Sequence, residues 1–164
     1  MLTTRWVDPS DGSVAWQDDF QHILEAAEMQ IDPMYRRYVA KDPIVFAFDC
    51  DAVVGVAQGH MVRHGFNERF GPFELLPVPQ AMLDKVAVVP DAQGRGVGRL
   101  LVREFAAGML SRGCTHVALM VDQSTPWEGR VKFFASCGFR SLIEGSDDDL
   151  LGAEITALRG VTAP

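Results

Sequence analysis

The apolar positions along this chain change their period several times, and each change marks an element. "TTRWVD" at 3–8 alternates and predicts a first strand, closed by the turn residues "PSDGS". From Trp16 to Gln30, "WQDDFQHILEAAEMQ" places Trp16, Phe20, Ile23, Leu24 and Ala27 on one stripe, the spacing of an amphipathic helix. A second, short helix is predicted after Pro33, through "MYRRYVA". "PIVFAFDCDAVVGVAQGHMV" then reads as a hairpin, two β-rich runs about Asp49, Cys50 and Asp51. Residues 64–80, "HGFNERFGPFELLPVPQ", show no period, and a loop of that length is more often a lid or a binding loop than idle.

Regularity returns with "AMLDKVAVV" at 81–89, a strand. "VGRLLVREFAAGMLSRG" is predicted as a helix with the stripe Val97, Leu101, Phe105 and Met109, stopped at Gly113. "THVALMV" at 115–121 is the next strand, "EGRVKFFASCGF" a helix ended at Gly138, and "FRSLIE" and "AEITALR" two closing strands. The strand–helix–strand unit over 82–121 implies a parallel crossover, and the hairpins around it a mixed sheet. The fold class is therefore α/β (α+β), a single mixed central sheet flanked by helices, with residues 1–164 read as one domain.

Composition changes this picture little. With 48% apolar and 23% charged residues the chain is ordinary for a globular protein. No window approaches the ~18 apolar residues of a membrane helix, and "MLTTRWVDPSDG" lacks the basic-then-apolar order of a secretory signal. A cytoplasmic location without a membrane partner is expected. The net charge of −7 is uneven: residues 1–85 carry 13 acidic and 7 basic side chains, residues 86–164 carry 9 and 8. The acidic first half disfavours nucleic acid and favours a cationic or amine partner, with plain solubility as the competing explanation. Cys50, Cys114 and Cys137 and the histidines His22, His60, His64 and His116 show no metal-ligand spacing, so no metal is expected.

The distinctive chemistry lies in "VVPDAQGRGVGRLL", 88–101. Glycines at 94, 96 and 98 open a helix that carries Arg95 and Arg99 at its positive end, where cations are unfavourable unless an anion is bound. A Walker A loop needs Lys and then Ser or Thr after its last glycine, where Arg99 and Leu100 stand. The Rossmann fingerprint's third glycine is also replaced by Arg99. A plain helix start has no use for three glycines, which cost backbone entropy. What fits is a pyrophosphate cradle, with backbone N–H groups aimed at the ligand and Arg95 and Arg99 on phosphate oxygens.

These residues resemble the GNAT superfamily of N-acetyltransferases. Its signature Q/R-x-x-G-x-G/A is met by Gln93, Gly96 and Gly98, and "KFFASCGF" looks like the family's "xFYxxxGF" helix. With the strand "LDKVAVVPDAQ" and the order of elements, the resemblance covers essentially the whole chain. It implies acetyl-CoA as cosubstrate, an amine acceptor, and direct attack within a ternary complex. It also implies that Val86 and Val88 offer backbone groups to the pantetheine arm. Gln93, Gly94, Arg95, Gly96, Val97, Gly98 and Arg99 fall on the pyrophosphate turn, Val97 with its side chain in the core. Phe133 and Phe134 fall on the helix near the cofactor thiol.

The chain departs from the family where the leaving thiolate is usually protonated. Phe134 stands in place of a frequent tyrosine, and the family's frequent asparagine is missing from "DQSTPWEG". Water or Ser136 remains as a proton source, while Cys137 reads as a small core residue. The departure keeps a second reading open, an acyl-CoA-binding sensor or catalytically inactive homologue. Acyl transfer also needs a proton acceptor for the amine. Asp84 is the candidate base, on the same face of its strand as Val86 and Val88 by the two-residue period. The competing reading is an acid paired with an arginine of a neighbouring strand. Tyr35, Glu68 and Phe73 are candidate substrate contacts. Antibiotic amines, polyamines, amino acids and protein amines stay open as acceptors, and so does the oligomeric state, a homodimer among the options.

Overall fold

The computed structural model describes residues 1–9, 16–29, 41–63, 66–67, 71–72, 76–122, 127–143, 150–158 and 160. The chain forms two compact units, Met1–Gly59 with Lys85–Phe105, and His60–Asp84 with Ala106–Pro164. In the first, β1 (Leu2–Val7) pairs antiparallel with β2 (Ile44–Asp49), from Leu2↔Asp49 to Val7↔Ile44. β2 turns at Cys50 and Asp51 into β3 (Ala52–Val62), the hairpin that the two β-rich runs predict. A register shift between Ala47 and Phe48 sets Ala47 against Gly55 and Phe48 against Val53. Ile44 to Ala47 are all buried, so both faces of β2 are covered and its apolar run is continuous rather than alternating.

Helix α1 (Gln17–Ala26) buries Phe20, Ile23 and Leu24 in one cluster with Trp16, Ile44, Phe46, Val56 and Ala87. The stripe is the predicted one, but the helix stops four residues short of Gln30. Its end is a chain reversal in which Glu28 takes φ +54°, Met29 N–H donates to the Leu24 carbonyl at 2.9 Å and Glu28 N–H to that of Glu25 at 3.0 Å. This is the Schellman closure, which usually places glycine where Glu28 stands. With no glycine in the sequence, periodicity alone runs past it.

β4 (Gln80–Val88), which lies in the second unit as far as Asp84, makes a parallel ladder with β5 (His116–Met120) through Gln80↔His116, Ala81↔Val117 and Met82↔Ala118. The ladder ends there, although β4 runs on to Val88. Helix α2 (Val97–Ser111) stands between these two strands in sequence, the predicted parallel crossover. It closes with Cys114 N–H on the Met109 carbonyl at 3.0 Å. Helix α3 (Trp127–Cys137) closes with Phe139 N–H on that of Phe134 at 3.1 Å. Gly113 and Gly138 hold the left-handed positions, as the glycine stops predict. β6 (Arg140–Ser141) and β7 (Leu150–Glu154) complete a mixed sheet of seven strands in the order β1-β2-β3-β4-β5-β7-β6. Phe66–Asn67 and Gly71–Pro72 form a separate two-stranded pair.

One closing element differs from expectation. "AEITALR" contributes only its first two residues to β7, and Ile155–Ala157 is a single 3₁₀ turn. Ile155 and Leu158 are both buried, an i,i+3 spacing that suits such a turn and not a strand. The chain leaves the ladder as Ile155 N–H reaches the Thr115 carbonyl at 2.9 Å. The short helix predicted after Pro33 and most of the 64–80 loop lie outside the described residues.

Two stability outcomes follow. A non-glycine residue in the left-handed region costs about 1–2 kcal/mol, so Glu28→Gly should raise the thermal midpoint by roughly 2–8 °C for a chain of this size; a lower midpoint in calorimetry would contradict it. Gly55 is the opposite case, because a Cβ there would lie 2.9 Å from the Ala87 carbonyl oxygen, 3.0 Å from Leu101 and 3.1 Å from Val97. The backbone oxygen cannot step aside as a side chain can, so Gly55→Ala should lose about 1–3 kcal/mol, read by urea unfolding.

Candidate active site

The path from β4 into α2 is set by short-range constraints. Pro90 opens a 3₁₀ turn, Pro90–Ala92, with Ala92 N–H on the Val89 carbonyl at 3.0 Å. Gln93 returns to extended backbone and its Nε2 donates to the Val88 carbonyl at 3.1 Å. Gly94 and Gly96 take φ +73° and +87°, which only glycine adopts without strain, and nothing lies within 4 Å of a Cβ at either position. These two glycines therefore answer to backbone direction, not to crowding. Gly98 is different, lying inside the first turn of α2. Ala92 and Val97, at 1% exposure each, pin the two ends of the turn in the core, and Gln93 to Gly96 are exposed between them.

The first intrahelical bond runs from Leu100 N–H to the Gly96 carbonyl at 3.0 Å, which makes Gly96 the capping residue. The amides of Val97, Gly98 and Arg99 precede any intrahelical acceptor, and a helix start normally meets this with a Ser, Thr, Asp or Asn side chain. Gly96 has none. A helix N-terminus that shows its amides without an internal acceptor is suited to a pyrophosphate, so the residues present fit the group that the turn's sequence implies. Arg99 is exposed on this turn. Arg95 is engaged within the protein, its Nη2 2.6 Å from Asp49 Oδ2 at the end of β2. The Arg95 guanidinium, and after it the Met1 ammonium at 3.3 Å, hold the Asp49 carboxyl below the usual carboxylate range.

In the second unit, Asp84 lies two residues past the end of the β4–β5 ladder. A histidine lies against it: Oδ2 is 2.7 Å from His60 Nδ1. The side chain of Asp84 is 2% exposed and that of His60 16%. An ionised carboxylate only accepts, and against one the ring would donate from Nδ1. His60 is the partner that sequence reasoning missed: it is a histidine in the apolar run "VVGVAQGHMV", 24 positions from Asp84.

On α3, Phe134 is half-buried between Phe133 and Phe139, at centroid distances of 5.0 and 5.7 Å in edge-to-face contacts. Ser136 Oγ donates back to the Phe133 carbonyl at 2.7 Å. Cys137 is buried, as a small core residue should be. Val86 and Val88 are half-buried on β4 beyond the residues of the parallel ladder, and the Val88 carbonyl already accepts from Gln93. Tyr35, Glu68 and Phe73, the expected substrate contacts, lie outside the described residues.

Comparison with known proteins gives these features a context. No curated protein matches the chain in sequence. Solved structures do match in fold. A ribosomal-protein alanine N-acetyltransferase from Escherichia coli has a TM-score of 0.65 at 16% identity, covering 100% of this chain and 97% of its own. PaiA N-acetyltransferase from Thermoplasma acidophilum, in complex with coenzyme A, has 0.62 at 12%, covering 94% and 99%. An aminoglycoside acetyltransferase from an uncultured soil sample has 0.59 at 16%, covering 82% and 86%. The model of the acetyltransferase (GNAT) family matches residues 5–139, a span that includes the glycine turn, α2 and α3. The chain belongs to the GNAT acetyltransferase family.

Proposed function

We propose that this protein is an N-acetyltransferase that moves the acetyl group of acetyl-CoA to a primary amine of a small molecule or peptide, by direct attack in a ternary complex. The observation that carries the reading is the start of α2, whose capping residue Gly96 has no side chain to meet the amides of Val97, Gly98 and Arg99. Those amides, with Gly94 turning the backbone ahead of them, would hold the pyrophosphate. Arg99 adds charge beside it, and Arg95 does so by exchanging its surface pair with Asp49 for a phosphate oxygen. Surface pairs of that kind contribute little, about 0–1 kcal/mol, so the exchange is easy. Val86 and Val88 would meet the pantetheine arm through backbone groups, and Gln93 holds the end of β4 in place for them. Bound acetyl-CoA supplies an acyl group activated as a thioester.

The amine must lose its proton, and Asp84, on β4 in step with Val86 and Val88, is the candidate base for that task, directly or through water. The acidic first half of the chain favours a cationic acceptor. Tyr35, Glu68 and Phe73 are proposed contacts for it. We read residues 1–164 as one acetyltransferase domain working in the cytoplasm, without metal or nucleic acid. A second reading, a sensor that binds acyl-CoA without turnover, is favoured by Phe134, whose ring carries no hydroxyl for the leaving thiolate.

Acetyl-CoA should raise the thermal midpoint where ATP and NAD do not; the reverse pattern would overturn the cofactor assignment. Gly96→Ala forces a Cβ into the left-handed region at about 1–2 kcal/mol, and should weaken acetyl-CoA binding about tenfold. Thiol release from acetyl-CoA with spermidine, kanamycin and an alanine-terminated peptide tests transfer. Tight binding with no release on any of the three selects the sensor.

A further inference from the structure

Arg95 meets an anion in the structure, and that anion is the protein's own. Its Nη2 lies 2.6 Å from Asp49 Oδ2, and both residues belong to the first unit. The two partners are held very differently. Asp49 ends β2 with its backbone laddered on both sides, to Leu2 of β1 and Ala52 of β3. Its side chain is 26% exposed, and the Met1 ammonium lies 3.3 Å from its other oxygen. Arg95 stands between two glycines of positive φ on an exposed turn, with its side chain 52% exposed. A short carboxylate on a strand held between two neighbours has little reach, whereas a guanidinium on a long stem has much. Arg95 is therefore the partner that can leave, and Asp49 the one that stays. The guanidinium and then the ammonium hold the Asp49 carboxyl below the usual carboxylate range, so it stays ionised at neutral pH.

A cation ahead of a helix N-terminus is unfavourable without an anion nearby, and Asp49 supplies one from 46 positions away. Because this carboxylate is tethered, it competes for Arg95 at an effective concentration that a simple anion in solution must exceed. A pyrophosphate brings two charges and can also take the amides at the start of α2. Even so, Asp49 repels it once Arg95 has turned away. We propose that Asp49 is a specificity-determining residue of the glycine turn, a built-in competitor that stands in for a ligand's phosphate at Arg95. Simple anions are turned away, and a pyrophosphate ligand binds more weakly than the turn alone would allow. The proposal rests on the reading of the turn as the cradle for the acetyl-CoA pyrophosphate. It gives one side chain effects of opposite sign, stabilising the protein without ligand and weakening the complex. A residue that merely positioned Arg95 for the phosphate would favour both.

Asp49→Asn in the full chain decides between these roles, with Asp51→Asn as its control, an equal change of charge on the exposed tip of the same hairpin. Asp49→Asn should lower the thermal midpoint of the ligand-free protein by roughly 1–4 °C. The same variant should bind acetyl-CoA about three- to tenfold more tightly by titration calorimetry, through loss of one charge beside the pyrophosphate. Added inorganic phosphate should weaken acetyl-CoA binding by Asp49→Asn more than by the unaltered protein. Asp51→Asn should stay within about twofold of the unaltered protein, its charge being screened by solvent and salt. In an Arg95→Gln background the gain from Asp49→Asn should shrink, because the contested guanidinium is gone. Unchanged or weaker acetyl-CoA binding by Asp49→Asn, equal gains in the two Asn variants, or a midpoint that does not fall would overturn the role of Asp49 and leave the cofactor assignment standing. Failure of the unaltered protein to bind acetyl-CoA at all would overturn the cofactor assignment and the role of Asp49 together.

Discussion

The first unit depends on a backbone that must leave β4 and enter α2 within a few residues without a side-chain cap. Three fixings make this possible. Gln93 is tied to the Val88 carbonyl, Gly94 and Gly96 turn the chain through positive φ, and Val97 is driven into the core beside Gly55. Only at Gly55, where a Cβ would strike the Ala87 carbonyl, can α2 approach β3 closely enough for Val97 to pack. The same packing that stabilises the unit therefore decides where the first turn of α2 lies. On the proposed cofactor reading, a change at Gly55 would reach that turn without touching it.

How much of this was legible in the sequence varies with the range of the interactions. Helix ends show it well. All three helices among the described residues close by the same six-residue hydrogen bond, and two carry glycine at the left-handed position, where a glycine stop is readable. The third uses Glu28, which no propensity scale would place there; Met29, packed against the core cluster, provides the reason. Apolar spacing located the strands to within a residue or two where pairing is regular. It failed at Ile155, where i,i+3 burial belongs to a 3₁₀ turn but occurs within an apolar stretch that also alternates.

The candidate site divides in the same way. The glycine turn is local in sequence, so a fourteen-residue window shows its motif, and with "KFFASCGF" and the order of elements it points to the family whose model matches residues 5–139. The partners of its charged residues are not local. Arg95 meets Asp49 from 46 positions away and Asp84 meets His60 from 24, and neither pairing follows from composition or period. Both depend on elements far apart in the chain. A sequence can say that a carboxylate on β4 faces a given side, but not which side chain waits opposite.

On the amine-acetylation reading, the hydrophobic ring at Phe134 and the carboxylate of Asp84 bear on opposite halves of one proton balance. An alkyl thiol is acidic, about 8.5 for cysteine, while an alkylammonium lies near 10.4, as in lysine. Roughly two units, or about 2.6 kcal/mol, separate the two demands. At neutral pH the nucleophile needs help to lose a proton more than the leaving sulfur needs help to gain one. Phe134 gives its place to an aromatic cluster with Phe133 and Phe139, at 5.0 and 5.7 Å, and so surrenders the less demanding half. The more demanding half falls to the Asp84 carboxylate, shielded and with an imidazole against it. Absence of the tyrosine is thus compatible with turnover, provided that the proton acceptor is present.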